Sequence, residues 1–218
     1  MKSFKHIRIR ALIAGTALLL TGFQASAAGY KLADKVGASI AEFRDEIVDV
    51  KKEVDATLAS LDKIVAQATV DPRKAFKEFD KNVPRIDSAA TKAKKRGTEM
   101  KEKGKDYFDK WEKELATVND ADIRKLAEER KAKLQAAFAN IRKSMEPARD
   151  QFTGWLASLK DLQKYLSNDL TVSGIDAAKE LIAKNKSEGL AVQQNLDKVI
   201  TELNTVVSTI TPAKVKKE

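Results

Sequence analysis

The side chains most able to bind a partner are concentrated between positions 92 and 105. This window holds seven cations against only two acids, Glu99 and Glu102, which gives it a net charge of +5. It could bind lipid headgroups, lipopolysaccharide phosphates or an acidic protein face. The alternative is a solvated helix surface whose cations pair with acids on neighbouring helices, the commoner use of such runs. The candidate contacts are Lys92, Lys94, Lys95, Arg96, Lys101, Lys103 and Lys105.

Aromatic residues form a second candidate site directly after this basic segment. Tyr107, Phe108 and Trp111 lie within five positions of each other, and Tyr30 precedes the first helical segment. If short loops fold the helices back on one another, all four reach the same end of the molecule. Such a cluster commonly closes a core. If exposed, it would instead be a docking surface.

The residues that most catalytic chemistry needs are missing. The chain has no cysteine, and its one histidine is His6 in a predicted leader. Imidazole-based triads, His/Cys zinc sites, axial-histidine haem and thiol redox chemistry are therefore excluded from the mature chain. A carboxylate site for Mg²⁺ or Ca²⁺ stays open, but no calcium loop, phosphate-binding loop or nucleophile elbow is present. We predict no cofactor, no metal ion and no catalytic residue, hence not an enzyme.

Residues 1–27 have the pattern of a cleaved signal peptide. Four cations precede the apolar run from Ala11 to Gly22, and small residues from Ala25 to Ala27 fit a cleavage site. The run is shorter than the ~20 residues of a membrane span. Cleavage removes four cations and no acid, so the net charge falls from +9 to +5. We predict secretion across the inner membrane and a soluble periplasmic location.

Four helical segments must position the candidate residues. Each has an apolar stripe with alternating steps of three and four, as in α-helices packed along one narrow face. Strand signals are absent. The expected segments are Lys31–Ala68, Phe76–Val118 with a start at Pro72, Ala121–Leu166 and Ile175–Ile210, and Ser167–Gly174 is expected to form the longest loop.

Particular residues should mark the ends and irregularities of these helices. Asp71 before Pro72 is an expected N-cap, and Asn119-Asp120 offers a cap for the third segment. Pro84 predicts a kink or a break in the second helix, and Pro147 a bend in the third. Asn185 lies on the fourth stripe, where a buried amide would fix the register of the helices at a cost in stability.

Short connections between long helices favour antiparallel neighbours. The predicted fold is therefore all α: an elongated antiparallel up-down-up-down bundle of four long helices. The bundle, coiled-coil-like in its packing, is expected to span residues 28–211. Residues 212–218 form a basic C-terminal tail after Thr211-Pro212.

Two motifs resemble a known family. Trp111 to Leu115 reads Trp-Glu-Lys-Glu-Leu, and a following helix contains Met145-Glu-Pro147 and then Leu159-Lys-Asp-Leu162. This order is similar to that of a family of exported bacterial all-helical proteins catalogued as a domain of unknown function. The resemblance implies export and a coiled-coil-like fold, and it carries over no activity and no site residue. Several members have a lipid-attachment cysteine, which this sequence lacks, and this favours a free periplasmic protein.

These observations predict a non-enzymatic exported protein that acts as a binding or scaffold module. Its expected partner is another envelope protein or an anionic envelope component, and a membrane surface is possible. The alternative function is reversible binding of anionic lipid or envelope polymer through amphipathic helices and the basic segment 92–105. No nucleic acid is expected, because the charge of the mature chain is only mildly positive. The oligomeric state is left open.

Overall fold

The helices expected from the periodic apolar residues of the sequence are present in the structure. The computed structural model describes the backbone of residues 25–210 and the side chains of residues 31–210. Within that range the chain is almost entirely helical and contains no strand, so the predicted all-α class is confirmed. The helices are α1 (Ala25–Ala66), α2 (Arg73–Leu115), α3 (Ala121–Asn168), α4 (Val172–Ala177) and α5 (Lys179–Ile210).

The predicted stripes form one continuous core. Phe43 of α1, Phe79 of α2, Trp155 of α3 and Leu203 of α5 are each no more than 1% exposed. Burial of one apolar stripe on each helix is the main source of stability, because long helices gain little from intrinsic propensity alone. The core therefore runs along the length of the molecule.

Helix α1 lies between α2 and α5. On one side, Lys63 of α1 pairs with Glu78 of α2 at 2.7 Å. On the other, Lys51 pairs with Asp197 of α5 at 2.5 Å, and Asp62 pairs with Lys186. Between these two contacts, positions rise along α1 as they fall along α5.

Helix α3 lies between α5 and α2. The Trp155 indole Nε1 donates to the Asn185 carbonyl oxygen of α5 at 2.8 Å. Lys160 of α3 pairs with Asp87 of α2, also at 2.8 Å. Among the four neighbouring pairs of long helices, α2 and α3 contact each other most sparsely.

One predicted N-cap is confirmed, and the other is displaced by one residue, since Pro72 and not Asp71 occupies the N-cap position of α2. Asp120 is the N-cap of α3, and its carboxylate accepts from the backbone N–H groups of Asp122 and Ile123, both at 2.9 Å. The Asp71 carboxylate accepts from the Arg73 backbone N–H at 3.1 Å. Each contact satisfies N–H groups that have no partner inside the helix.

Of the two alternatives predicted at Pro84, the break does not occur, because α2 continues through it while Val83 and Ile86 on either side are buried. Pro147 likewise lies inside an unbroken α3. The predicted loop Ser167–Gly174 is also shorter than expected, since α4 begins within it.

The short helix α4 has a local cause. The Thr171 hydroxyl accepts from the Gly174 backbone N–H at 3.0 Å, which caps the first turn. Asp169 in turn accepts from the Thr171 hydroxyl at 2.6 Å. This pair of side chains starts a helix directly after α3, so only residues 169–171 connect the two.

The predicted leader and tail fall largely outside the described residues. Residues 1–24 and 211–218 are not described, and residues 25–27 begin α1. Among the helices described, none is long and apolar enough to cross a membrane.

Candidate functional site

Arg96 is the one cation of the basic segment that binds acids of a neighbouring helix. Its guanidinium lies 2.8 Å from Glu99, one turn along α2, and 3.5 Å from Glu42 of α1. Glu46 of α1 is 3.9 Å away. The hydrogen bond from Arg96 lowers the pKa of Glu99 below its usual value. Arg96 thus joins α2 to α1 and is not free for a partner.

The other cations of this segment are exposed. Lys105 pairs with Asp109 on its own helix at 2.6 Å. Within residues 31–210, no acid lies within ion-pair distance of the remaining five. These five are Lys92, Lys94, Lys95, Lys101 and Lys103, all of them exposed.

Charge is divided between two pairs of helices. Helices α2 and α3 together contain 24 Lys and Arg against 15 Asp and Glu, a net charge of +9. Helices α1 and α5 contain 10 Lys and Arg against 12 Asp and Glu, a net charge of −2. Because α2 neighbours α3 and α1 neighbours α5, the molecule has a basic side and a weakly acidic side.

The basic side is also the less closely packed one. Its apolar residues include several that are only half-buried against the core, although they have the size and shape of core side chains. Phe108 and Phe138 approach edge to face with ring centroids 5.3 Å apart, which joins α2 to α3 at one level. The half-buried large residues of these two helices are Phe76, Phe108, Trp111, Phe138, Met145 and Phe152.

Two glycines of the α2 stripe face aromatic rings. A Cβ atom added at Gly97 would lie 3.1 Å from the Phe43 ring of α1, and one at Gly104 would lie 2.8 Å from the Phe138 ring of α3. Rings of the neighbouring helices therefore occupy the space that larger side chains at these two positions would fill. Both glycines allow a ring to approach the α2 backbone closely.

The structure brings three of the four predicted aromatic residues together. The Tyr107 ring lies 5.4 Å from both the Phe108 and the Trp111 rings, measured between centroids. Tyr107 is buried, and the other two are half-buried. Burial raises the pKa of the Tyr107 hydroxyl. The fourth member, Tyr30, has a side chain outside the described residues.

No catalytic arrangement is seen around these residues. Residues 31–210 contain no cluster of three His, Cys, Asp or Glu side chains able to hold a metal ion. Asn185 is 1% exposed, as its place on the stripe predicted, and its Oδ1 atom has no hydrogen-bond partner. Its Nδ2 atom donates to the Leu181 carbonyl oxygen at 2.9 Å, a contact within its own helix.

A family profile covers nearly all of the described chain. Residues 24–210 match the family described as "Protein of unknown function (DUF2959)". The chain belongs to this family. The resemblance predicted from the motifs at 111–115 and 145–162 is thereby confirmed, and membership assigns no activity. No curated protein and no solved structure matches the chain.

Sequence reasoning placed the basic segment on α2 alone and missed its neighbours on α3. Arg142 and Arg149 are exposed and were not singled out. A count of charges helix by helix would have found the basic side. Spacing would also have helped, because Arg142, Arg149 and Gln163 recur at multiples of seven and so share one face of α3.

Proposed function

We propose that this chain is an exported, non-enzymatic envelope protein that acts as a binding or scaffold module. The unequal distribution of charge between α2–α3 and α1–α5 is the observation that carries this proposal. Opposite charge steers partners and fixes their orientation, so a +9 side beside a −2 side favours anionic partners on one side only.

The proposed architecture is an elongated, antiparallel up-down-up-down bundle of four long helices. Contacts between α1 and α2, α2 and α3, α3 and α5, and α5 and α1 support a closed arrangement. Helices of about 45 residues make a rod of roughly 65 Å at 1.5 Å per residue. A rod of this kind offers a long side surface and few enclosed sites, as a binding or scaffold module requires.

Export is supported by the leader pattern in the sequence. The expected mature protein begins at Ala28 and is released with the soluble periplasmic fraction. Mass spectrometry of the protein purified from that fraction checks the cleavage. The variant Ala25→Leu/Ala27→Leu should accumulate uncleaved, because bulky residues do not fit the small-residue site. A full-length protein in the cytoplasmic fraction would contradict export.

Site-specific photo-crosslinking in cells tests the binding role. A photoreactive residue at position 101 lies on the basic side, and one at position 198, exposed on α5, is the matched control. Under the proposal, position 101 gives a discrete adduct and position 198 does not. Equal labelling at both positions would count against a partner-specific side.

Enzymatic activity would refute the non-enzymatic part of the proposal. The purified mature protein is screened with general phosphatase, esterase and peptidase substrates, with and without added divalent metal ions. We expect no turnover above that of a control preparation. Robust hydrolysis that depends on a metal ion would require a carboxylate site that the sequence did not suggest.

A second candidate function is reversible binding of anionic lipid or envelope polymer. The exposed lysines of segment 92–105 favour it, because five of them are uncommitted to acids in the described structure. Half-buried Phe108 and Trp111 add apolar surface close to these cations. This function differs from the first in its partner, which is a lipid surface or polymer rather than a protein.

A further inference from the structure

The seam between α2 and α3 contains four cations that face one another. Asp87 of α2 binds Lys160 of α3, and Phe108 of α2 packs on Phe138 of α3. Lys94 and Lys101 lie at multiples of seven residues between Asp87 and Phe108. Positions seven apart on a helix share one side, so both lysines are on the side that faces α3.

The same spacing places two arginines opposite them. Gln163 of α3 donates to the Asp80 carboxylate of α2 at 2.8 Å. Arg149 and Arg142 precede Gln163 by two and three multiples of seven residues, so they lie on the α2 side of α3. The antiparallel register then puts these arginines level with the two lysines.

Cations at the two ends of the seam pair with acids of the opposite helix, and the cations between them do not. At its ends, Lys160 pairs with Asp87 and Lys131 pairs with Glu112. Between these pairs, within the described residues, the only ion pair of the four cations joins Arg149 to its sequence neighbour Asp150, at 2.9 Å. Glu146 is the other acid on this part of α3, so the stretch keeps an excess of positive charge.

Like charges on the facing sides of two helices repel one another. This repulsion is consistent with the sparse contact between α2 and α3. Half-buried Met145 and Phe152 lie between the helices, at multiples of seven residues from Phe138. Surface depressions are found away from the seam, one lined by residues 68–73 and 168–172 and one between α1 and α2. The seam is a cationic surface with half-buried apolar side chains at its base.

Four occupants of the seam can be compared by charge and shape. The C-terminal tail is itself basic, and a second copy offers only a side of net charge −2, on which Asp49, Asp62 and Asp197 already pair with lysines. A partner helix would favour a deeper groove. An anionic bilayer presents many phosphates in a plane, which suits cations spread along a rod.

We infer that the α2–α3 seam is a membrane-docking surface that binds the phosphate headgroups of an anionic bilayer through Lys94, Lys101, Arg142 and Arg149. The rod lies flat on the membrane with its bundle closed, and α1 and α5 face away from it. This inference rests on the proposed function, since it names the partner of the same basic side. It adds Arg142 and Arg149 as binding residues.

Vesicle flotation with two charge-matched variants tests the inference. Lys94→Gln/Lys101→Gln/Arg142→Gln/Arg149→Gln removes the seam cations, and Lys31→Gln/Lys35→Gln/Lys179→Gln/Lys198→Gln removes four exposed lysines from α1 and α5. The probe is vesicles of neutral phosphatidylcholine with about one quarter anionic phosphatidylglycerol, at about 50 mM and about 500 mM salt. Circular dichroism confirms that both variants are folded.

We expect the unaltered protein to float with the anionic vesicles at low salt, and not at high salt or with phosphatidylcholine alone. Each cation at an anionic surface strengthens binding about fivefold, so the seam variant should bind more than tenfold more weakly. The α1–α5 variant should bind nearly as well as the unaltered protein. Equal losses in both variants would show that net charge alone matters and would overturn the inference.

Failure of the inference and failure of the proposed function give different results. No flotation of the unaltered protein, together with a discrete protein crosslink at position 101, would refute membrane docking and leave the binding module standing. Loss of both signals would refute both. The fluorescence of Trp155, measured in a Trp111→Phe background, reports on opening, because Trp155 is 1% exposed. A shift on vesicle binding would refute docking of a closed bundle.

Discussion

The two sides of this molecule share one helical pattern but differ in how their charges pair and how closely their apolar side chains pack. Between α1 and α5, acids and lysines alternate and pair across the helices, as in Lys51–Asp197 and Asp62–Lys186. Between α2 and α3, Lys94, Lys101 and Arg142 have no acid within ion-pair distance in the described residues, and the apolar side chains are only half covered. Looser packing and charge repulsion between α2 and α3 lower the stability of the fold only slightly. The fold tolerates this because the α1–α2, α1–α5 and α3–α5 contacts bury most of the apolar side chains. A surface kept partly open in this way is available for binding.

The largest expected difference between the two sides concerns one aromatic residue on each. Trp155→Ala removes a 1% exposed ring at the α3–α5 contact and its hydrogen bond to Asn185. We expect a loss of about 3–5 kcal/mol in the free energy of unfolding. Phe138→Ala, on the α2–α3 side, removes a half-buried ring and should cost about 1–2 kcal/mol. Urea unfolding followed by circular dichroism measures both values.

Equal losses for these two variants would contradict the comparison. They would mean that the α2–α3 contact contributes as much to the core as the α3–α5 contact does. The conservative variant Trp155→Phe serves as a control, because it keeps one apolar ring and removes the indole N–H together with a smaller part of the buried volume. Its loss should lie well below that of Trp155→Ala.

Glycines on the two sides should respond differently to an added methyl group. At Gly189 of α5, a Cβ atom would lie 2.7 Å from Leu58 Cδ2 and 2.9 Å from Trp155, and both of these side chains are buried. Gly189→Ala should therefore destabilise the protein by about 1–3 kcal/mol. At Gly104 the obstacle is the half-buried Phe138 ring, which has room to move.

For Gly104→Ala we expect a stability within about 1 kcal/mol of the unaltered protein, since the gain in helix propensity offsets the displacement of the ring. The control is Gly154→Ala, where a Cβ atom meets nothing within 4 Å and should stabilise α3. Thermal unfolding of the three variants ranks them. A loss at Gly104 as large as that at Gly189 would show that the α2–α3 side is as rigid as the core.

Asn185 tests whether a buried polar side chain on the closely packed side lowers the free energy of unfolding. Its buried Oδ1 atom lacks a partner, and such an atom costs about 1–3 kcal/mol. Asn185→Leu keeps the branched shape and removes the polar atoms, so stability should be unchanged or higher by about 1 kcal/mol. Asn185→Asp buries a charge at the same place and should destabilise clearly. A large loss for the Leu variant would indicate that the amide makes contacts essential for the fold.

Several features of the fold could be predicted from local patterns alone. The stripes of α1 and α5 and the cap at Asp120 depend on neighbours within a few residues, and these expectations agree with the structure. The short helix α4 was missed because Thr171, its N-cap, has no Glu or Gln three residues later to complete a capping box. The break that was one alternative at Pro84 does not occur, because tertiary packing of Val83 and Ile86 outweighs a lost hydrogen bond.

The candidate site was less predictable than the fold. The basic segment on α2 is visible as a run of charge, whereas the contribution of Arg142 and Arg149 depends on which face of α3 meets α2. That orientation is set by non-local contacts such as Lys160–Asp87, more than 70 positions apart in sequence. Arg96 belonged to the predicted site but binds Glu42 and Glu46 of α1, which no periodicity within α2 could reveal.

The smallest expected effect concerns this arginine and the pH dependence that it creates. Arg96 lowers the pKa of Glu99 below the model-peptide value of 4.5. A carboxylate with a lowered pKa in the folded state contributes stability that is present above the unfolded pKa and is lost as pH falls through the folded pKa. Acid should therefore remove the contribution of the Arg96–Glu99 pair within α2 as the pH falls below about 4.5, where the unfolded chain takes up a proton at Glu99 more readily than the folded one.

Arg96→Gln should remove this contribution and make the acid limb of the stability curve slightly flatter. The effect is small because the ion pairs of Arg96 are solvent-exposed. Unfolding midpoints in urea between about pH 3 and pH 7 measure it, with Lys92→Gln as the control that removes an exposed charge of the same segment. If the two variants gave identical pH profiles, Arg96 would be as free as the lysines around it, and the segment would present one more cation to a partner.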